Sequence, residues 1–430
     1  MNHGFLTQSL HAGHSPDSTT GSRAPPIYQT TSYTFDDAED AAARYALERT
    51  DDVYTRISNP TTRYLENRLA VIEQGVAAVA TASGMAALDT ATSVLAQAGD
   101  NIVASTDMYG GTASYFTNMA SRRGIELRTV STEDLTAFQD AIDEQTAFVH
   151  LETVANPSLK TPDFAPIADI AHERRTPVVV DNTFATPYLC RPIEHGADII
   201  WESTTKWLHG KGTTVGGVLV DGGTFPWRRS GYDELDGNNP AFDIDFVSRF
   251  GEAAFANVAR HRGVRSLGNQ QSPFDAWQTL QGIETLGLRM QRHCKNATQI
   301  AEALKDHPSI SWVSYPGFES HPTHDMATKY LEPADRSHDG FGGMITFGPE
   351  GGYEAAKRIC EETQLSSFLA NIGDAKSVLI HPASTTHAQL STSEQRAAGV
   401  SPDMVRLSVG LETATDIVAD LSQAIAAWAS

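Results

Sequence analysis

The sequence predicts an α/β protein with a mostly parallel central sheet, followed by a smaller α+β domain. Three observations lead there. Between residues 76 and 220, short apolar runs alternate with amphipathic segments. The strand-like runs are nearly continuous in Val, Ile and Ala, as expected of parallel strands covered on both faces. After residue 265 the rhythm changes to a long helical pattern and then to strands with fewer helices between them.

Residues 1–60 show little periodicity and many Ser, Thr and Pro, yet carry Tyr28, Tyr33, Phe35, Tyr45 and Tyr54. That is more aromatic surface than a frayed, solvated terminus shows, so the segment is expected to be an arm lying on a neighbouring subunit. Order then begins: Asn59 suits an N-cap, Pro60 the first helical position, and Leu65, Leu69 and Ile72 follow at helical spacing until Gly75. Strands are expected at 77–81, 101–105, 125–130, 147–152, 178–181, 198–203 and 216–220, with helices at 85–98, 112–123, 135–142 and 166–174. Ligands in such a sheet bind beyond the carboxyl ends of the strands.

Residues 222–265 break the rhythm with Gly, Trp, Arg and Asp and suggest an excursion over the surface. Phe274, Trp277, Leu280, Ile283, Leu286, Met290, Cys294, Ala297 and Ala301 then recur at helical spacing, predicting one helix, or two broken near Gly282 or Gly287. Strands are expected at 310–314, 344–347, 378–381 and 405–409, and helices at 353–362 and 416–428. The expected units are an arm at 1–60, a ligand-binding domain at 61–265 and a C-terminal domain at 266–430.

Composition narrows the function. The chain has 430 residues, 40% hydrophobic and 20% charged, which suits a globular protein. Its 32 basic and 53 acidic residues leave a net charge of −21, which disfavours nucleic acid and anionic membrane as partners. Only eight of the 32 basic residues are Lys, and a carboxylate-rich, Lys-poor surface suggests a salt-loving cytoplasm. Cys190, Cys294 and Cys360 have the spacing of neither a disulfide framework nor a zinc site, which points to a reducing cytoplasm. No stretch has the length of a membrane span, and Met1 to Leu10 shows no basic segment followed by an apolar run.

Several expected strand ends carry the groups that pyridoxal 5′-phosphate needs: an amine, an anion at the pyridine nitrogen, donors for the phosphate and a flat face on the ring. Lys206 closes Glu202-Ser203-Thr204-Thr205-Lys206 after one strand, and Asp181 ends the most β-rich one. A buried carboxylate at Asp181 calls for a cationic partner such as a pyridinium, although as a lone residue it suits a helix cap or turn better. Ser83-Gly84-Met85 joins a strand to a helix, where free N–H groups and the helix dipole face an anion. Ser203, Thr205 and Arg56 are further phosphate candidates, and Tyr109 is placed to stack on the ring. Each signal is weak alone, because glycine turns and loop tyrosines are common.

Together these strings resemble the Cys/Met-metabolism family of pyridoxal-phosphate enzymes over essentially the whole chain. The resemblance rests on ordered motifs: Tyr54-Thr55-Arg56 with Asn59-Pro60-Thr61, Ser83-Gly84-Met85-Ala86-Ala87, Tyr109-Gly110-Gly111-Thr112, Glu152-Thr153 with Asn156-Pro157, Asp181-Asn182-Thr183, Ser203-Thr204-Thr205-Lys206 and Arg406-Leu407-Ser408-Val409-Gly410. It implies the type I fold of pyridoxal-phosphate transferases. It makes Lys206 the Schiff-base lysine, Asp181 the partner of the pyridine nitrogen, Tyr109 the stacking residue, and Ser83, Gly84, Met85, Ser203 and Thr205 the phosphate cradle. Tyr54 and Arg56 would reach the phosphate of a neighbouring subunit in a homotetramer of site-sharing dimers. Arg406 would pair with the substrate α-carboxylate, with Asn156 and Ser384 near the substrate.

Within the family, residues 22–32, 222–265, 272–286, 371–377 and 382–387 look most like the branch in which sulfide or a small thiol replaces acetate on O-acetylhomoserine. The alternatives are cystathionine γ-synthase, cystathionine γ-lyase or methionine γ-lyase chemistry, and a non-catalytic scaffold of the same fold. Two departures stand out. Trp207-Leu208-His209-Gly210-Lys211-Gly212 replaces the usual Gly-Gly-His-Gly run, which bears on loop geometry, and Glu202 stands where a less acidic residue is expected.

Overall fold

A computed structural model describes residues 3–429 apart from 240, 339 and 390. Seven strands form the main sheet: β1 Ala77–Thr81, β2 Asn101–Ser105, β3 Glu126–Val130, β4 Thr146–Glu152, β5 Val178–Asp181, β6 Ile199–Glu202 and β7 Gly217–Asp221. Their spatial order is β1-β7-β6-β5-β4-β2-β3, and β7 runs antiparallel to both its neighbours. The other six therefore share one direction, and their carboxyl ends lie along one edge.

Alternation along each strand divides the core between the two faces. Val178 and Val180 pack with Leu65, Leu69 and Ile72 of the helix Pro60–Glu73 and with Leu280 and Ile283 of the helix Pro273–Ile283. Val179 faces the other way, into the core that Leu88 of the helix Gly84–Leu95 joins. Asn59 caps the first of these helices by accepting from Thr61 N at 2.9 Å, with Pro60 next, as the sequence implied.

Residues 222–265 do not skirt the surface. Phe225, Trp227, Leu235, Phe246, Phe255, Val258 and Val264 are buried in the core of the second face, and Trp227 stacks on Phe255 with ring centroids 5.7 Å apart. The helix Phe246–Phe250 is too short to show a period, and Ala254–Ala259 continues into the wider π-helical turns of Arg260–Leu267, so the apolar residues follow no 3.6-residue stripe and become contiguous only when folded.

The long helical pattern is two helices, Pro273–Ile283 and Leu286–Lys305, parted at Glu284 and Thr285. Gly282 serves contact as well as the break: a Cβ there would stand 2.4 Å from the carbonyl oxygen of His209. Beyond lies a five-stranded sheet in the order Ile310–Ser314, Met344–Pro349, Val405–Ser408, Val378–Ile380, Ser367–Phe368. The last strand, two residues long and exposed, was not expected. Leu286–Lys305, Gly352–Glu362 and Ala414–Ala429 contribute to the core on this sheet.

The first 60 residues are more structured than their weak periodicity suggested. Phe5 is buried and meets Tyr188 edge-on at 5.6 Å, and Asn59 Nδ2 donates to Tyr28 O at 2.8 Å and Tyr33 Oη at 3.0 Å. Asp37 caps the helix Ala38–Tyr45 by accepting from Asp40 N at 2.7 Å. Ile27, Phe35, Tyr45 and Tyr54 remain exposed.

Because Phe255 belongs to the core, Phe255→Ala is expected to lower unfolding stability by about 3–5 kcal/mol. A surface position would shift it by no more than about 0.5 kcal/mol. Urea denaturation of wild type and variant measures the difference.

Candidate active site

The shared edge of the parallel strands collects the expected groups. Asp181 and Glu152 are the last residues of β5 and β4 and lie in register beside one another. Lys206 follows β6 in a turn closed by Lys206 N donating to Ser203 O at 3.2 Å and Gly210 N to Lys206 O at 2.7 Å. Ser83 follows β1 and Tyr109 follows β2.

Lys206 Nζ donates to Asn371 Oδ1 at 2.6 Å. Burial, and then the nearby Arg406 charge, lower its amine to about 8, so about a tenth of it is uncharged at pH 7. Asp181 accepts from Thr183 N at 2.9 Å, and burial raises its carboxyl to about 7. It makes no ion pair with a cation among the described residues. A protonated pyridine nitrogen has the charge that would suit this carboxylate.

Glu152, of the Glu152-Thr153 pair, acts on two neighbours at this edge. Its carboxylate accepts from Tyr109 N at 2.5 Å and Asn156 N at 3.3 Å, holding both residues. Burial and the adjacent Asp181 push it well above the usual carboxylate range. Tyr109 keeps 44% of its surface exposed, leaving a ring available for stacking.

Ser83 caps the helix Gly84–Leu95, its hydroxyl accepting from Ala86 N at 3.1 Å. The N–H groups of Gly84 and Met85 come too early in that helix to have an intrahelical acceptor. A Cβ on Gly84 would lie 2.8 Å from Ser203 Cβ, so the Gly84 turn and Ser203 touch. These features fit a phosphate. Thr205 is differently engaged: its hydroxyl donates to Gly216 O at 3.2 Å and accepts from Gly216 N at 3.0 Å.

Arg406 is buried, donates through Nη1 to Asn156 Oδ1 at 2.9 Å, and has no carboxylate partner among the described residues. Burial lowers it to about 10, which makes an incoming carboxylate its natural counter-ion. Ser384 Oγ pairs with His381 Nδ1 at 2.8 Å. No hydrogen bond or ion pair among the described residues joins Tyr54 or Arg56 to this cluster. Arg56 donates instead to Arg265 O and lies over the Tyr54 ring at 5.4 Å.

The unusual loop after Lys206 is held by a residue that sequence reading missed. The Arg289 guanidinium donates to Trp207 O at 2.7 Å, Leu208 O at 3.1 Å and Gly282 O at 2.8 Å. It is buried with no acid beside it among the described residues, and a side chain at Gly210 would collide with it. Arg289 lay within a helical pattern that only its apolar positions announced.

Residues 6–426 match the family described as "Cys/Met metabolism PLP-dependent enzyme". The chain belongs to that family. Pyridoxal 5′-phosphate is therefore its cofactor, and the residues at the strand ends fit it. The chain is 47% identical to the O-acetyl-L-homoserine sulfhydrylase 1 of Thermus thermophilus, covering 98% of this chain and 100% of that one. It is 44% identical to the homocysteine synthase of Schizosaccharomyces pombe, over 98% of both. Among solved structures, an O-acetylhomoserine (thiol)-lyase of Campylobacter jejuni bearing pyridoxyl phosphate on a lysine superposes with a TM-score of 0.94 at 37% identity, covering 99% of this chain and 100% of that one.

Asp181 and Arg289 give separable expectations for this PLP enzyme. A carboxyl raised from 3.8 to about 7 contributes stability that is fully present below pH 3.8 and lost as pH rises through 7. In cofactor-free protein, Asp181→Asn is therefore expected to raise the thermal midpoint at pH 8 far more than at pH 5, while turnover of the PLP-loaded variant collapses. Arg289→Met leaves carbonyls without donors and is expected to cost roughly 2 kcal/mol or more and to weaken PLP retention. Thermal melts and PLP titrations of each variant measure both effects.

Proposed function

We propose that this protein catalyses γ-replacement on O-acetyl-L-homoserine: sulfide, or a small thiol, takes the place of acetate and gives L-homocysteine, or methionine. The observation that carries this reading is the full-length similarity to relatives named O-acetylhomoserine sulfhydrylase and homocysteine synthase. Site geometry supports it through Arg406, buried in the C-terminal sheet without a carboxylate partner among the described residues and joined by Asn156 to the segment that follows β4.

When bound, pyridoxal 5′-phosphate supplies an aldehyde for amine capture and an electron sink for carbanions. Arg406 binds the substrate carboxylate with a planar fork, and Asn156 Oδ1 fixes the orientation of that fork. Lys206 Nζ, partly uncharged and oriented by Asn371, takes the proton from Cα and returns one after replacement. Asp181 holds a proton at the pyridine nitrogen, and Tyr109, anchored through Glu152, covers the ring face. Gly84 and Met85 N–H groups with Ser203 bind the phosphate. The balance is acetyl ester plus hydrogen sulfide to thiol plus acetic acid.

Tyr54 and Arg56 complete the phosphate site of a neighbouring subunit, within a homotetramer of site-sharing dimers. Their exposure, and their separation from the chain's own cluster, support that arrangement. The arm at 1–60, the PLP domain at 61–265 and the C-terminal domain at 266–430 are the units of this proposal. Three buried, unbridged cysteines and the absence of a membrane-length apolar helix among the described residues support a cytoplasmic enzyme. The acidic, Lys-poor composition supports adaptation to salt.

Purified protein is expected to be yellow and to release homocysteine and acetate from O-acetylhomoserine plus sulfide. Cystathionine as the main product with cysteine would instead assign it to the synthase branch. Lys206→Ala removes both the visible band and turnover. Mixing inactive Arg56→Ala with inactive Lys206→Ala under subunit exchange is expected to restore part of the activity, and persistent inactivity despite exchange rules out shared sites.

A further inference from the structure

Glu202, the acid that departs from the expected pattern, ends β6 with its side chain wholly buried. Beside it lies Glu73, also wholly buried, at the end of the helix Pro60–Glu73, close enough for a side-chain hydrogen bond. Glu73 Oε1 accepts from Asn182 Nδ2 at 2.9 Å. The remaining oxygen of Glu73 and both oxygens of Glu202 have no donor among the described residues. Two ionised carboxylates in contact would each face the other's charge with no solvent and too few hydrogens.

The surroundings offer little relief. Arg191 is the cation that acts on Glu73, and it already pairs with Glu194 at 3.3 Å and donates to Ile72 O at 3.1 Å. The other titratable neighbours, Asp181, Cys190 and Glu194, add negative charge or are neutral thiol. One proton between the two carboxyls supplies the missing donor and removes the repulsion.

We propose that Glu73 and Glu202 form a buried acid pair sharing one proton, and that this pair, through Asn182, positions Asp181 for the cofactor. Asn182 transmits the constraint. Besides reaching Glu73, it donates through its side chain to Cys190 O at 3.0 Å and through its backbone to Trp201 O at 3.0 Å. The pair thereby clamps the end of the helix Pro60–Glu73 to the ends of β5 and β6, one residue from Asp181 and from Ser203. Glu202 is a positioning residue. The positioning half rests on the reading of Asp181 as pyridine partner, whereas the shared proton does not.

Glu202→Gln supplies an amide hydrogen in place of the proton, and Glu202→Leu supplies none. Infrared spectra of the PLP-loaded enzyme at pH 8 are expected to show a protonated carboxyl C=O band in wild type that is missing from Glu202→Gln. The absence of any such difference overturns the acid pair. Both Glu73 and Glu202 are held above the ordinary carboxylate range, chiefly by burial, so the stability they contribute is complete below pH 4.5 and lost as pH rises through the pair's folded value. The wild-type thermal midpoint therefore falls more steeply at alkaline pH than that of Glu202→Gln, and equal slopes count against the pair. For positioning, Glu202→Leu is expected to weaken PLP affinity by about tenfold or more while Glu202→Gln restores most of it. Equal affinity in both variants refutes the positioning role. Should Asp181→Asn retain native turnover, the Asp181 reading fails and the infrared and pH results still decide the acid pair.

Discussion

A carboxylate buried at the end of β5, with no cation paired to it among the described residues, is the constraint around which the site is arranged. Asp181 is expensive in the folded chain until a positive group arrives. On the reading proposed above, the cofactor's ring nitrogen is that group, and folding stores an unfavourable charge where binding relieves it. Arg406 repeats the logic with opposite sign, as a buried guanidinium awaiting a carboxylate.

Parallel strands make this affordable in geometry. Because six of seven strands run one way, Ser83, Tyr109, Glu152, Asp181 and Lys206 leave the sheet along one edge although they are scattered over more than a hundred residues. The antiparallel β7 between β1 and β6 preserves this, since reversing one strand leaves its two neighbours parallel. It also brings Gly216 beside Thr205, whose hydroxyl it engages.

Around that edge a second set of polar residues acts on the first. Glu152 holds the backbones of Tyr109 and Asn156, Asn371 holds the Lys206 amine, and Arg289 gathers the carbonyls of the loop beyond it. Arg289 explains how a Trp-Leu-His sequence replaces a glycine-rich run after the lysine. Trp207 is buried against His293 at 4.7 Å, and the carbonyls exposed by the turn are satisfied from the helix Leu286–Lys305. The C-terminal part of the chain thus shapes the lysine's surroundings through backbone contacts.

The sequence alone determined the rhythm of the main sheet, the Asn59-Pro60 helix start, the positions of Lys206 and Asp181 at strand ends, and the family to which the motifs belong. These are local properties, written in period, capping chemistry and short ordered strings. Only tertiary structure decided that residues 222–265 build core, that the early chain folds onto its own body at Phe5, Tyr28 and Tyr33, and that Glu152, Asn371 and Arg289 support the site. The Glu73–Glu202 contact belongs to the same group: Glu202 was visible as an oddity, but its partner lies 129 positions earlier in the chain. Such pairings depend on which strand ends and helix ends meet in three dimensions, and no pattern within a short window of sequence encodes that meeting.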